Sequence, residues 1–224
     1  MAIIRTYTDE QDWIAASVQA ITGSLEQDIR DNDASSLALS GGSTPYPIYQ
    51  QLGTEPVLWE QVSLISVDER FVPADDPEYN WAKIVSALGE ELIARVKRTC
   101  AFTYAASREE SLRVVEDCLP DRPGIVVLGM GTDGHIASLF PGQPFGDNRT
   151  VVATTAPDSY ETQERMSLSA DYILSAQKIV LLLKGDSKAN AVDILMDQEY
   201  PAEQFPATLI LDHPDCEIHW LREG

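Results

Sequence analysis

The chain has 224 residues, with 16 Lys and Arg against 36 Asp and Glu, for a formal net charge of −20 at pH 7. That balance excludes nucleic acid and anionic membranes as expected partners, since both are bound through basic surface. Hydrophobic residues make up 44%, ordinary for a globular domain, and no apolar run reaches the roughly 18 residues that suggest a membrane span.

Residues Asp9 to Asn32 predict an amphipathic helix, because Ile14, Val18, Ile21, Leu25 and Ile29 recur at steps of three and four. Thr8 or Asp9 is placed to cap it. Leu37-Ala38-Leu39 reads as a short strand, ended by Ser40-Gly41-Gly42-Ser43-Thr44-Pro45. A second helix starts near Pro45 or Pro47 and stops near Gly53. Val62–Val67 is the next strand and leads into Asp68-Glu69-Arg70. Helical segments follow near Trp81–Ala94 and Arg108–Cys118. The strand Ile125–Leu128 opens onto a glycine-dense loop, Gly129 to Gly142. Arg165–Ser169 reads as extended, Lys178–Leu183 as an apolar strand, and Gly185–Lys188 as the start of a helix running to about Met196. Glu217–Leu221 is a final short strand.

Strands alternating with helices predict an α/β fold with a largely parallel sheet. With no Pro/Gly/Ser linker or low-complexity tract, one domain is expected over residues 1–224. The opening residues turn polar quickly and show no signal-peptide core. Three widely spaced cysteines (Cys100, Cys118, Cys216) form no CxxC pair, so three reduced thiols and a cytosolic compartment are expected.

In open parallel sheets, ligands bind outside the carboxyl ends of the strands. Three of the chemistry-bearing loops follow predicted strands, after Leu39, Val67 and Leu128, and so point to one crevice. Ser40–Thr44 is suited to hold an anion: backbone N–H groups, hydroxyls and a helix N-terminus can face one point. The alternative is an ordinary strand-to-helix turn with a serine or threonine cap. The loop lacks the Gly-Lys-[Ser/Thr] ending of a Walker A motif. Arg70, Arg165 and Lys188 are the candidate cations, each at the end of one element or the start of another, although any single one also fits a solvated surface. An arginine fork suits a phosphate and a lysine adds a compact charge. Asp68 and Glu69 either orient a base, hold the arginine or form a solvated turn.

His135 is the candidate general base, with Asp133 two residues away to fix the imidazole tautomer. A histidine that caps a helix or donates to a backbone carbonyl is the alternative. No metal site is expected, since His213 and His219 lie at no familiar ligand spacing. A Gly-x-Ser-x-Gly elbow and a complete GxGxxG fingerprint are both missing.

Taken together, Leu39–Pro45, Val67-Asp-Glu-Arg70 with Asp75-Asp-Pro77 and Asn80, Gly129-Met-Gly-Thr-Asp-Gly-His-Ile-Ala-Ser-Leu-Phe-Pro-Gly142, Arg165-Met-Ser-Leu and Gly185-Asp-Ser-Lys188 resemble the 6-phosphogluconolactonase family of the glucosamine/galactosamine-6-phosphate isomerase superfamily. The order and separations fit over nearly the whole chain. The resemblance implies a modified Rossmann-like, three-layer fold of the NagB/RpiA/CoA-transferase-like class. It implies a cytoplasmic pentose phosphate pathway enzyme that hydrolyses a small-molecule sugar-phosphate lactone without a cofactor; a monomer or weak homo-oligomer is expected. On this reading Gly41, Gly42, Ser43, Thr44, Asp68, Arg70, Arg165 and Lys188 hold the substrate and its phosphate, and His135 with Asp133 activates water.

The related glucosamine-6-phosphate deaminases carry a similar Gly-x-Asp-Gly-His loop but continue toward Asn-Glu-Pro. Here Leu139-Phe140-Pro141 stands instead, which favours the lactonase. Glu78-Tyr79 before Asn80 departs from the family's usual Asp-Ser-Asn, and the chain stops soon after Trp220 without the usual acidic, Ala-rich tail. A non-catalytic sugar-phosphate-sensing module, as in some transcription regulators, is the third reading, disfavoured by the acidic balance.

Overall fold

The structure, a computed structural model, describes residues 2–145, 149–198 and 200–222. The outermost residues of the expected 1–224 domain (1, 223 and 224) lie outside the described residues. In chain order the elements are β1 (Ile3–Tyr7), α1 (Glu10–Asn32), β2 (Ser35–Leu39), α2 (Tyr46–Leu52), β3 (Val62–Ser66), β4 (Asp68–Arg70), α3 (Asn80–Leu88), α4 (Glu90–Ile93) and β5 (Arg98–Cys100). Then come α5 (Arg108–Glu116), β6 (Ile125–Leu128), β7 (Val151–Thr155), β8 (Glu164–Leu168), α6 (Ala170–Leu174), β9 (Lys178–Lys184), α7 (Ala189–Asp197) and β10 (Cys216–Leu221).

Seven strands form one sheet in the order β1-β10-β9-β6-β2-β3-β5, every pair of them parallel. Parallel strands covered on both faces carry apolar side chains on both. The alternation is direct. Ala38, Val126, Leu128, Ile179 and Leu181 face one core, which holds α5, α6, α7 and Phe205. Leu37, Leu39, Ile125, Val127 and Val180 face the other, under α1, α2, α3 and α4. The result is three layers, helix on sheet on helix. A second, three-stranded antiparallel sheet, β4-β8-β7, stands beside the main one.

Local chemistry explains most element ends. Asp9, not Thr8, caps α1: its carboxylate accepts the N–H groups of Gln11 and Asp12 at 2.8 and 3.0 Å, satisfying two of the orphan donors of the first turn. The helix expected over Trp81–Ala94 is instead two, α3 and α4. The chain breaks at Gly89, whose φ of +88° is closed to most side chains. Asp68–Arg70, expected as a triplet after a strand, is itself β4. The edge strands β1 and β5 carry few buried side chains and leave little periodic signal; main-chain pairing with their neighbours forms them.

The expectation of three reduced cysteines is corrected. Cys100 and Cys118 form a disulfide, with a Cα–Cα distance of 5.7 Å, while Cys216 is free and buried. Spacing does not reveal the pair, because β5 and the end of α5 meet only when the edge strand docks. The bond also removes cysteine usage as support for a cytosolic compartment. It closes a loop with a sequence separation of 18, for which chain entropy gives about 3 kcal/mol. Cys118→Ser, or reduction of the wild type, is therefore expected to lower the melting temperature by roughly 6–12 °C. Equal melting curves with and without dithiothreitol would refute this.

Candidate active site

The carboxyl ends of β2, β3 and β6 converge on one cleft of about 220 Å³, lined by Ser40, Gly41, Gly42, Thr44, Asp68, Arg70, Asn80, Gly129–Gly131, His135 and Lys188. Parallel pairing of β2 with both β3 and β6 sets the strand ends side by side. The crevice expected from strand ends is thus present.

The first wall is the loop after β2. Gly41 lies against Asn80, and a Cβ at Gly41 would fall 2.2 Å from the Asn80 amide carbon. The Ser40 hydroxyl is buried and has no hydrogen-bond partner among the described residues. Such an orphan lining a cleft marks a place for a ligand or water. Gly42 and Thr44 belong to this wall, but Ser43 is exposed and lies outside the lining. Helix α2 has only seven residues, so its dipole adds less to anion binding than the sequence suggested.

The second wall is β4 with its partner β8. Antiparallel register sets Arg70 directly opposite Arg165. Like charges in that position repel. Arg70 donates from Nη1 to the Glu78 carbonyl at 2.7 Å. Arg165 is 2% exposed, is not among the residues lining the cleft, and has a buried Nη1 with no partner among the described residues. Burial first, then the charge of Arg70, lowers its pKa, although a guanidinium stays charged. Lys188 reaches the cleft from the turn before α7, its Nζ donating to the Met130 carbonyl at 2.7 Å. Burial lowers its pKa, partly offset by Asp133. In a chain of net charge −20, two cations line this cleft, Arg70 and Lys188, with Arg165 paired beside Arg70 in the strand register, a local positive charge against the global field.

Asp68 and Glu69 divide the roles left open by the sequence. Asp68 accepts the Ser138 hydroxyl at 2.7 Å, tying β4 to the loop after β6. Glu69 does not face solvent. It is 0% exposed and accepts the backbone N–H groups of Arg70, Asn80 and Trp81 at 2.8–2.9 Å. It thereby caps α3 and fixes Asn80 and Arg70 beside the cleft.

Burial raises the Glu69 carboxyl from 4.5 to about 7, against the pull of its three N–H donors. Because the folded value lies above the unfolded one, the folded state holds this proton more tightly. The associated stability is full below about 4.5 and is lost as pH rises to about 7. Urea unfolding between these limits is expected to show a fall on the order of 3 kcal/mol attributable to this group. Glu69→Gln is expected to flatten it. An unchanged pH slope in that variant would exclude Glu69 as its source.

The third wall carries the histidine. His135 Nδ1 lies 2.6 Å from Asp133 Oδ1, and the same carboxylate accepts the His135 N–H at 3.2 Å. Burial raises the Asp133 pKa, but the hydrogen bond and charge of His135 outweigh it and leave it below the ordinary value. An ionised carboxylate only accepts, so Nδ1 is the nitrogen that donates to Asp133. The loop permits this contact because residue 131 is glycine: a Cβ there would fall 2.1 Å from Nδ1 and 2.4 Å from Asp133 Oδ1.

Behind the imidazole stands Phe140, 2% exposed, its ring centroid 4.9 Å from that of His135. At the position where the deaminase-type sequence brings glutamate, this loop brings an apolar ring. Tyr160 completes the surroundings, edge-on to His135 at 6.1 Å. Sequence reasoning missed Ser138 as a partner of Asp68, the capping role of Glu69, and Tyr160. The only local signal for Tyr160 is a lone aromatic residue in the polar run before Arg165.

Fold and site first define a class: a three-layer parallel α/β protein with a cleft at the strand ends lined by Arg70, Lys188 and a histidine paired with a carboxylate. The sequence profile of "Glucosamine-6-phosphate isomerases/6-phosphogluconolactonase" matches residues 8–220. A 6-phosphogluconolactonase of Caulobacter vibrioides is 30% identical over 226 residues, covering 97% of this chain and 96% of its own length. That of Haemophilus influenzae is 35% identical over 184 residues, covering 76% of each chain. Among solved structures, a 6-phosphogluconolactonase from Shewanella baltica superposes with a TM-score of 0.88 at 23% identity, over 100% of this chain and 98% of that one. A monomeric glucosamine-6-phosphate deaminase superposes at 0.80 and 21% identity, over 98% and 97%. At those identities the structural likeness is one of fold. The chain belongs to the glucosamine-6-phosphate isomerase/6-phosphogluconolactonase family.

Proposed function

We propose that the chain hydrolyses 6-phosphoglucono-δ-lactone to 6-phosphogluconate, in the pentose phosphate pathway. The observation that carries this reading is the His135–Asp133 pair facing a cation-lined cleft, with Phe140 rather than a carboxylate against the imidazole. The curated relatives named as lactonases support it.

The phosphate docks at the Gly41–Thr44 loop, held by Arg70, Arg165 and Lys188. His135 Nε2 takes a proton from water as the water oxygen attacks C1 of the lactone. The carbonyl π pair moves onto oxygen, giving a tetrahedral oxyanion. Backbone N–H groups of the glycine loop are the donors proposed for that charge. Asp133 stabilises the imidazolium. Collapse of the intermediate breaks the bond from C1 to the ring oxygen, and the imidazolium returns its proton to that oxygen. The new carboxylic acid ionises, so each turnover releases one proton to solvent.

We further propose that the protein works as one domain in the cytoplasm, as a monomer or weak homo-oligomer. No described helix is long and apolar enough to cross a membrane. The deciding experiment follows proton release from freshly made 6-phosphogluconolactone against its spontaneous rate, with ammonia release from glucosamine 6-phosphate in parallel. Enzyme-dependent protons without ammonia support the lactonase. Ammonia instead would assign the deaminase reaction, and neither would leave a sensing module.

A further inference from the structure

We propose that Tyr160 is a positioning residue of this site, latched in place by Thr162 and Glu78, and that it sets how Arg165 and His135 meet the substrate. The inference rests on the lactonase reading above and adds to it a residue outside the family-like motifs.

Tyr160 lies on the connection from β7 to β8. That connection is folded back on itself: Ala156 N–H bonds the Gln163 carbonyl at 2.8 Å and Tyr160 N–H bonds the Pro157 carbonyl at 3.0 Å. The ring makes three contacts in the site. Its centroid is 6.1 Å from that of His135 at 83°, and 5.6 Å from that of Phe140 at 60°. Both are edge-to-face arrangements favoured by the ring quadrupole. The Arg165 Cζ stands 5.6 Å from the same centroid, within range of a cation–π contact. One ring thus touches both the base and the buried cation.

Arg165 needs such a support. Its Nη1 has no hydrogen-bond partner among the described residues, and Arg70 stands opposite it with like charge. Neither contact fixes the plane of the guanidinium. A fork recognises an anion only when that plane is aimed. The Tyr160 ring restricts rotation on one side and leaves the N–H edge for the ligand.

The latch explains an anomaly of the sequence. Glu78, one of the two residues that depart from the family pattern before Asn80, accepts the Thr162 hydroxyl through its carboxylate. Through its backbone carbonyl the same residue holds Arg70 Nη1 at 2.7 Å. Its own N–H bonds Asp76 at 2.7 Å, and the adjacent Tyr79 hydroxyl is anchored on the Phe102 carbonyl at 2.9 Å. Glu78 therefore joins the Arg70 segment to the Tyr160 segment, and the two arginines are braced from one point.

The test compares Tyr160→Ala, Tyr160→Phe and Thr162→Val with the parent in lactone kinetics, calorimetric binding of 6-phosphogluconate and thermal melting. Tyr160→Ala is expected to raise both KM and the product Kd by about 5- to 30-fold, the range of a desolvated cation–π contact, with its melting temperature near the parent's. Tyr160→Phe is expected to restore both constants, because the ring and not the hydroxyl does the positioning. Thr162→Val is expected to shift them the same way by less, and to add nothing to Tyr160→Ala in the double variant. KM and Kd within twofold of the parent in Tyr160→Ala overturn the proposal. Failure of Tyr160→Phe to restore them overturns the ring's role, and additivity in the double variant overturns the latch. A parent without lactone turnover overturns the functional reading and this inference with it; a turning-over parent with an indifferent Tyr160→Ala overturns this inference alone.

Discussion

His135→Ala is expected to lower kcat by about 10²- to 10⁴-fold, the usual contribution of a positioned general base, while 6-phosphogluconate still binds within a few fold. The separation follows from the geometry. The imidazole meets Asp133 through Nδ1 and His135 lines the cleft, whereas the cations proposed to hold the phosphate come from β4, β8 and the turn before α7. Removing the ring deletes the proton acceptor and leaves Arg70, Arg165 and Lys188 in place. The rate must be read against spontaneous ring opening, since the lactone also hydrolyses unaided. Full activity in the variant would end the assignment of His135 as base. Lost product binding with normal kcat would move the histidine to the phosphate site.

The second large effect is expected at Arg165. Arg165→Met should raise KM by about 10- to 100-fold, the worth of hydrogen bonds to a charged group, with kcat changed much less. Its effect on stability should run the other way. A buried cation normally costs several kcal/mol to unpair, yet Arg165 is already unpaired at Nη1 and faces Arg70 across the strand pair. Methionine keeps most of the apolar stem and removes the repulsion. The variant is therefore expected to melt at or above the parent temperature. A large drop in melting temperature with unchanged KM would make Arg165 a structural residue and place the phosphate elsewhere. Opposite signs for binding and stability are the signature expected of a residue that serves binding rather than the fold.

Several parts of this picture were legible before any coordinates. The helix over α1 followed from the spacing of Ile14, Val18, Ile21, Leu25 and Ile29, and its cap was narrowed to Thr8 or Asp9, of which the structure selects Asp9. The strands β2, β3, β6 and β9 were visible as apolar runs because both of their faces are buried. His135 and Asp133 were readable as a pair since two residues of glycine-rich loop bring them together. The small antiparallel sheet was not legible. β4 is a charged triplet, Asp68-Glu69-Arg70, and forms a strand only because β8 pairs with it. Glu69 likewise resembles a solvated acid in sequence, yet it is buried against three backbone N–H groups of residues near and far.

Net charge follows from composition, and the α/β alternation, the glycine loops and the His-Asp spacing from residue order along the chain, so the sequence alone decided them. Contacts across long separations are of another kind. Ser138 reaches Asp68 across 70 residues. Arg70 and Arg165 face each other by strand register, Thr162 meets Glu78, and Cys100 meets Cys118 once an edge strand docks on a helix end. No local periodicity encodes such pairs, because each depends on how the layers pack and which strands become neighbours. The chemistry-bearing residues were therefore nameable from the chain. Which of them face one another, and which side chains brace them, was decided only in three dimensions.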